Sequence, residues 1–267
     1  MSLFKITLPD NQRVPILLSV PHCGTAFPVE LKDQYKPELI KTLDDTDWFV
    51  DQLYSFAPAM GIPMITANFS RWVIDLNRDP KSKPLYTDGR IITGLCSTTN
   101  FLGEPIYKDH RKEVDQLEVN RRLENYYQPY HNKIQELLND LKAEFGKVLL
   151  WDCHSIRQVV PTIQKEKFPD LILGDADGTS ASPGIIETAL GVLDHRKYSV
   201  SHNHPFKGGT ITRYFGKPSE NQHALQLEMT KVNYMDDKET EYDNLRARDM
   251  QLLLSSTLAK LIEKMEL

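Results

Sequence analysis

Two histidines sit at the ends of the most apolar short runs in this chain of 267 residues. His22 follows Val14–Val20 in the string Ser19-Val20-Pro21-His22-Cys23-Gly24, and His154 closes the run that begins at Val148 in Trp151-Asp152-Cys153-His154-Ser155. Neutral imidazole is the commonest metal ligand, and catalytic zinc takes three protein ligands and keeps one position for water. A single histidine at a strand end is ordinarily a hydrogen-bonded structural residue. Two of them, each after a buried run, favour convergence on one metal ion. A third ligand is available in Asp44-Asp45-Thr46-Asp47. That run also reads as a helix N-terminus, where carboxylates cap amides and meet the positive end of the dipole. Such a role suits Asp44 or Asp45 and leaves Asp47 able to turn inward. Asp51, one helical turn on, is either a supporting partner or a solvated residue.

Arg71 and Arg78 bracket a second polar string, Arg71-Trp72-Val73-Ile74-Asp75-Leu76-Asn77-Arg78-Asp79-Pro80. A guanidinium offers a planar two-donor fork that matches a carboxylate, so a substrate acid group is a natural partner. Salt bridges to Asp75 or Asp79 are the competing explanation. His202-Asn203-His204-Pro205-Phe206-Lys207-Gly208-Gly209-Thr210-Ile211-Thr212-Arg213 reads as a flexible, donor-bearing loop, or as an ordinary surface turn. Glu228 lies in the alternating string Leu225-Gln226-Leu227-Glu228-Met229. Beside a metal it has the chemistry of a general base; without one it belongs on a solvated face.

The elements that must position these residues alternate. Val14–Val20, Ile62–Ala67, Trp72–Leu76, Val148–Cys153, Leu171–Leu173, Tyr198–His202 and Ala224–Met229 read as strands, the first and fourth buried on both faces. Helical spacing runs through Glu38–Ala57, Gly184–Leu193 and Thr240–Met265. It also runs through Val114–Phe145, as one helix or as two with a break near Pro129, ended by Gly146. This order predicts an α/β fold with helices on both faces of a mixed, mainly parallel sheet, and a ligand site beyond the strand ends. No linker or repeat divides the chain, so residues 1–267 read as one domain.

The net charge is −5, and forty percent of the residues are apolar. The acidic balance argues against a nucleic-acid or anionic-membrane surface, yet leaves room for a local cationic pocket. The apolar runs are too short to span a bilayer, and residues 1–10 lack the hydrophobic run of a signal peptide. Cys23, Cys96 and Cys153 are too few and too scattered for a disulfide framework. A cytoplasmic protein is expected.

Taken together, Ser19-x-Pro21-His22-x-Gly24, Asp47, Arg71-x-x-x-Asp75-Leu76-Asn77-Arg78-Asp79-Pro80, Asp152-x-His154-Ser155 and a late Glu228 resemble the N-formylglutamate amidohydrolases, in order, from about Val14 to about Tyr234. That family is similar to zinc carboxypeptidases and aspartoacylases. The resemblance implies a three-layer α/β/α, zinc-exopeptidase-like (phosphorylase/hydrolase-like) fold. It also implies zinc held by His22, Asp47 and His154, with Asp45 the rival for the acidic ligand. Glu228 is implied as the base, and Arg71, Asn77 and Arg78 as facing the substrate, with Arg78 also stabilising the oxyanion. Arg213, the Gly208-Gly209 loop and His204 are implied around the substrate. The implied reaction is hydrolysis of N-formyl-L-glutamate to formate and glutamate, a step of histidine catabolism. Another N-acyl amino acid or a small peptide is the alternative substrate. Iron, cobalt or manganese suits such a donor set as well as zinc. Two other readings stay open: a thiol nucleophile at Cys23 or Cys153, each beside a candidate ligand, and a carboxylate-binding protein without turnover. The first is disfavoured because neighbours on a strand point to opposite faces.

Overall fold

The computed structural model describes residues 2–42, 45–81, 94–194 and 197–266. Seven strands form one sheet: β1 (Phe4–Thr7), β2 (Ile16–Val20), β3 (Met64–Ala67), β4 (Val148–Ile156), β5 (Leu171–Gly174), β6 (Val200–His202) and β7 (Gln222–Thr230). Their order is β1-β3-β2-β4-β7-β5-β6. The pairs β3–β2, β2–β4, β4–β7 and β5–β6 are parallel, while β1–β3 and β7–β5 are antiparallel. The helices are α1 (Val29–Lys32), α2 (Pro37–Lys41), α3 (Val50–Leu53), α4 (Gln116–Arg122), α5 (Gln128–Phe145), α6 (Pro183–Leu193), α7 (Thr210–Phe215) and α8 (Asn244–Glu266). The expected α/β class and mixed, mainly parallel sheet are present. Among the described residues no helix is long and apolar enough to cross a membrane.

Period-two alternation along the central strands creates two cores. Leu18, Trp151, Cys153, Leu225 and Leu227 pack with Ile185 and Ala189 of α6 and Leu254 and Leu258 of α8. Leu17, Val148, Leu150 and Ala224 pack on the other face with Tyr130, Ile134 and Leu138 of α5. On that second face the alternation turns polar toward the strand ends, at Asp152 and His154 of β4 and Gln226 and Glu228 of β7. A buried face that exchanges apolar for ionisable residues at the C-terminal end of parallel strands is where this sheet class places its chemistry.

Several expected elements differ. Trp72–Leu76 is not a strand. It is a buried series of turns, with Val73 N donating to Ser70 O and Asp75 N to Leu95 O, so these two amides find partners without a ladder. The helical pattern Glu38–Ala57 is split into α2, α3 and a 3-10 turn, Ala57–Met60; Leu43 and Asp44 lie outside the described residues. The interruption makes physical sense. Asp45 is buried against Trp72 Nε1 and Phe101 N, and Phe49 adopts a left-handed φ of 61° before α3 starts. β4 runs on to Ile156, so His154 lies within the strand rather than after it. The loop read around Gly208-Gly209 becomes α7 from Thr210 onward, and β1 carries no sequence signal that singled it out. The long pattern Val114–Phe145 is α4 and α5 joined by a π-helical turn, Leu123–Tyr127, where Gln128 N reaches back five residues to Leu123 O. The widened turn comes just before Pro129, which has no amide proton to give.

Candidate active site

Three side chains from three elements meet on the polar end of the sheet. His22 follows β2, Asp47 lies in the turn before α3, and His154 projects from β4; all three are buried. One donor atom from each can be chosen so that all lie within 4.8 Å of one another. His154 Nδ1 is 3.0 Å, and His22 Nδ1 3.8 Å, from the same Asp47 Oδ2. Asp47 is carried inward because its own amide donates to His22 O, tying the turn to the histidine it faces. Gly24 lets the chain after His22 pass close by, since a Cβ there would lie 2.4 Å from Phe69 O.

The outer nitrogen of each ring is also held. His22 Nε2 lies 2.8 Å from Asp75 Oδ1, and His154 Nε2 lies 2.8 Å from the donor Asn77 Nδ2 and 3.2 Å from Asp152 Oδ2. An Nε2–H donated to Asp75 leaves the Nδ1 lone pair of His22 facing the same space as His154 Nδ1 and Asp47. This is how proteins fix the tautomer of a metal-ligating imidazole. His22 Nδ1 is buried and makes no hydrogen bond among the described residues, an orphan acceptor aimed at Asp47 and His154. The donor set of two imidazoles and a carboxylate with an orphaned inward nitrogen fits a divalent metal such as zinc.

The electrostatics agree. Burial disfavours charge on both rings, and Arg71 helps hold His22 below its usual range. His154 is pushed the other way, well above its usual range, because the carboxylates of Asp152 and Asp47 outweigh burial. A positive charge is therefore favoured between those carboxylates. Burial opposes ionisation of Asp47 too, yet the hydrogen bond and charge of His154 keep its carboxyl low. Asp45, the rival acidic ligand, is spent elsewhere: its two oxygens accept from Trp72 Nε1 at 2.8 Å and Phe101 N at 2.9 Å.

Glu228 stands beside this group. It is the direct register partner of His154 in the β4–β7 ladder, so both side chains leave the sheet on one face. Burial pushes its carboxyl up to about 8, a value at which it exchanges protons near neutrality. Gln226 Nε2 donates to Glu228 Oε2 at 3.5 Å, while Gln226 Oε1 accepts from Gly209 N at 2.7 Å.

The string around the arginines serves the site from behind. Arg71 Nη2 donates to Asp75 Oδ2 at 2.6 Å, and Arg78 Nε lies 3.3 Å from the same oxygen. Asn77 Nδ2 donates to Asp152 Oδ2, and its Oδ1 accepts from Ile211 N. Gly209 is buried against Asn77, whose amide leaves no room for a Cβ there. His204 and Arg213 are exposed, and Arg213 Nε donates to Gly208 O. The structure thus gathers His22, Asp47, His154, Glu228, Arg71, Asn77 and Arg78, packs Gly209 behind them, and leaves His204 and Arg213 outside the buried group. Asp51 is exposed. Cys153 lies on the opposite face of β4 from His154, and burial pushes its thiol and that of Cys23 well above the ordinary range.

Sequence reading passed over Asp75 and Asp152 as partners of the two histidines. The signal for Asp152 was present, because Asp152 and His154 are two residues apart on one strand and so share a face. Asp75 carried no such cue, since its segment was read as a strand.

An α/β sheet with a buried His–Asp–His group and a carboxylate in register beside it defines a class of candidate hydrolases, and comparison with known proteins specifies it. The chain belongs to the N-formylglutamate amidohydrolase family, enzymes that hydrolyse an amide; the family model matches residues 14–235. An N-formylglutamate deformylase of Pseudomonas putida is 39% identical over 252 residues, covering 94% of this chain and 93% of that protein. One from Pseudomonas aeruginosa is 41% identical over 227 residues, 85% of this chain and 84% of the relative. The crystal structure of the N-formylglutamate amidohydrolase of Ralstonia eutropha JMP134 superposes with a TM-score of 0.79 at 30% identity, covering 98% and 97% of the two chains. An Agrobacterium tumefaciens gene product shares the fold, with a TM-score of 0.73 at 16% identity over 98% and 96% of the chains.

Proposed function

We propose that this protein hydrolyses N-formyl-L-glutamate to formate and L-glutamate, using one divalent metal ion, zinc, held by His22, Asp47 and His154. The observation that carries the reading is the convergence of the two Nδ1 atoms on Asp47 Oδ2, with Glu228 in register beside them. A zinc ion bound there supplies Lewis acidity, which makes water nucleophilic near pH 7 and polarises a carbonyl. Glu228 takes a proton from the attacking water at its carboxylate oxygen and delivers it to the leaving amine nitrogen. Its raised pKa suits both halves of that transfer. Arg78, partly exposed, faces the substrate and stabilises the oxyanion of the tetrahedral intermediate. Arg71 and Asn77 complete the substrate wall, an arginine holding a carboxylate, with Gly209, His204 and Arg213 toward the glutamate part.

Residues 1–267 are read as one catalytic domain working in the cytoplasm on a small carboxylate-bearing substrate; all three cysteines are free thiols, as a reducing compartment keeps them. The test is formate release from N-formyl-L-glutamate by purified protein, with metal analysis. Activity should vanish on complete removal of the metal and return on adding zinc. Full activity after stripping overturns the mechanism, and faster turnover of another N-acyl amino acid in a panel overturns the substrate.

A further inference from the structure

One buried carboxylate touches both functions of this site. Asp75 is fully buried. Its Oδ1 accepts from Asn77 N at 2.9 Å and lies 2.8 Å from His22 Nε2. Its Oδ2 accepts from Arg71 Nη2 at 2.6 Å and lies 3.3 Å from Arg78 Nε. The Asn77 amide and the His22 ring together fix the plane of the carboxylate, and that plane decides where its second oxygen points. We propose that Asp75 is a positioning residue that couples the two halves of the site. One oxygen turns the His22 ring so that Nδ1 faces the metal-binding group, and the other sets Arg71 and Arg78 toward a substrate carboxylate.

Two observations separate this from an ordinary buried ion pair. An ion pair formed only to neutralise Arg71 has no need of a histidine on the other oxygen. Nor does it need a second guanidinium on the oxygen that already holds Arg71, whereas one oxygen facing both Arg71 and Arg78 sets the direction of two forks at once. Asp152 supplies the internal control. Its Oδ2 meets His154 Nε2, Asn77 Nδ2 and Thr212 Oγ1, and among the described residues no arginine pairs with it.

The inference rests on the metal-dependent reading above, so the experiment separates the two. Wild-type protein with 15N-labelled histidine is loaded with 113Cd and examined by NMR. Cadmium–nitrogen coupling is expected at Nδ1 of His22 and His154, with His22 Nε2 protonated. L-glutamate, at concentrations that inhibit turnover, should move the His22 Nε2–H resonance more than the ring nitrogen resonances of His154. Coupling through His22 Nε2, or an unmoved His22 resonance under saturating glutamate, overturns the proposal without mutagenesis. Asp75→Asn should lower zinc affinity, read by chelator competition, on the order of 10- to 100-fold. At saturating zinc it should also raise KM on the order of tenfold through the misaimed guanidiniums. Asp152→Asn should lower zinc affinity comparably and raise KM clearly less than Asp75→Asn does. A folded Asp75→Asn protein with unchanged zinc affinity and KM overturns the coupling, while a wild-type protein that binds no metal or shows no turnover instead overturns the reading beneath it.

Discussion

The two halves of this site are built by different means. The half on β4 and β7, with Asp152, His154, Gln226 and Glu228, is set by strand register: Asp152 pairs with Gln226 and His154 with Glu228. The half formed by His22, Asp47, Arg71, Asp75, Asn77 and Arg78 lies on loops after β2 and β3, where no ladder fixes the side chains. There the polar groups hold one another: Asp47 N on His22 O, Asp75 on His22 and two arginines, Asp45 on Trp72 and Phe101. A sheet places groups through backbone pairing, whereas loops need buried charge. The strand half therefore suits the proton transfers, and the loop half suits recognition.

The largest expected effect lies in the strand half. Glu228→Gln should lower kcat on the order of 10²- to 10⁴-fold, the usual contribution of a positioned base. Its zinc content should stay intact. Arg78→Gln, in the loop half, should act more through KM. The comparison breaks if Glu228→Gln retains turnover, or if Arg78→Gln lowers kcat by as much with KM unchanged.

The two halves were also unequally legible in the sequence. The apolar runs before His22 and His154 and the alternation around Glu228 showed the strands from which two of these three residues project. Periodicity could not show that β7, late in the chain, would lie directly beside β4, because that neighbourhood is a property of the sheet order rather than of either strand. The loop half was legible only through its strings. Trp72–Leu76 has the hydrophobicity of a strand because it is buried, but Val73 N donates to Ser70 O in a turn and Asp75 N to Leu95 O. Helical spacing across Glu38–Ala57 likewise recorded burial on one side, while the turn that aims Asp47 inward depends on distant Trp72 and Phe101.

The loop half should also respond first to acid. His131 on α5 holds it from below: the ring stacks on Tyr127 at 4.0 Å and its Nε2–H donates to Leu76 O at 2.8 Å. Burial pushes its pKa down from 6.5 to about 4, so the folded protein resists the proton that the unfolded chain accepts. That stabilisation is complete above pH 6.5 and is lost as pH falls toward 4, at most about 3 kcal/mol from 1.36 kcal/mol per unit. Urea unfolding from pH 7 to 4.5 should show a steeper loss in wild type than in His131→Gln, whose amide can still reach Leu76. Equal slopes would remove His131 from this account.

Next in size is the contrast between the two candidate acidic ligands. Asp47→Asn should abolish stable zinc binding with little change in the stability of the metal-free fold. Asp45→Asn should retain zinc but cost about 1–3 kcal/mol, since an amide satisfies Trp72 Nε1 and Phe101 N less well than a carboxylate. Metal analysis and thermal unfolding of both variants check this, and the reverse pattern would make Asp45 the ligand.

The smallest effects belong to the two cysteines, one beside each histidine. Cys153 is wholly buried in the core behind His154, so Cys153→Ala leaves a small void and should cost about 1 kcal/mol. Cys23 is only half-buried, with its thiol 3.5 Å from both Val20 O and Ala67 O, and Cys23→Ala should cost less. Neither thiol faces the His22–Asp47–His154 group: one is on the far face of β4 and the other points back to backbone carbonyls. Turnover at saturating zinc should therefore match wild type in both variants. A large loss of kcat in either, with zinc still bound and the fold intact, would move the nucleophile from water to sulfur.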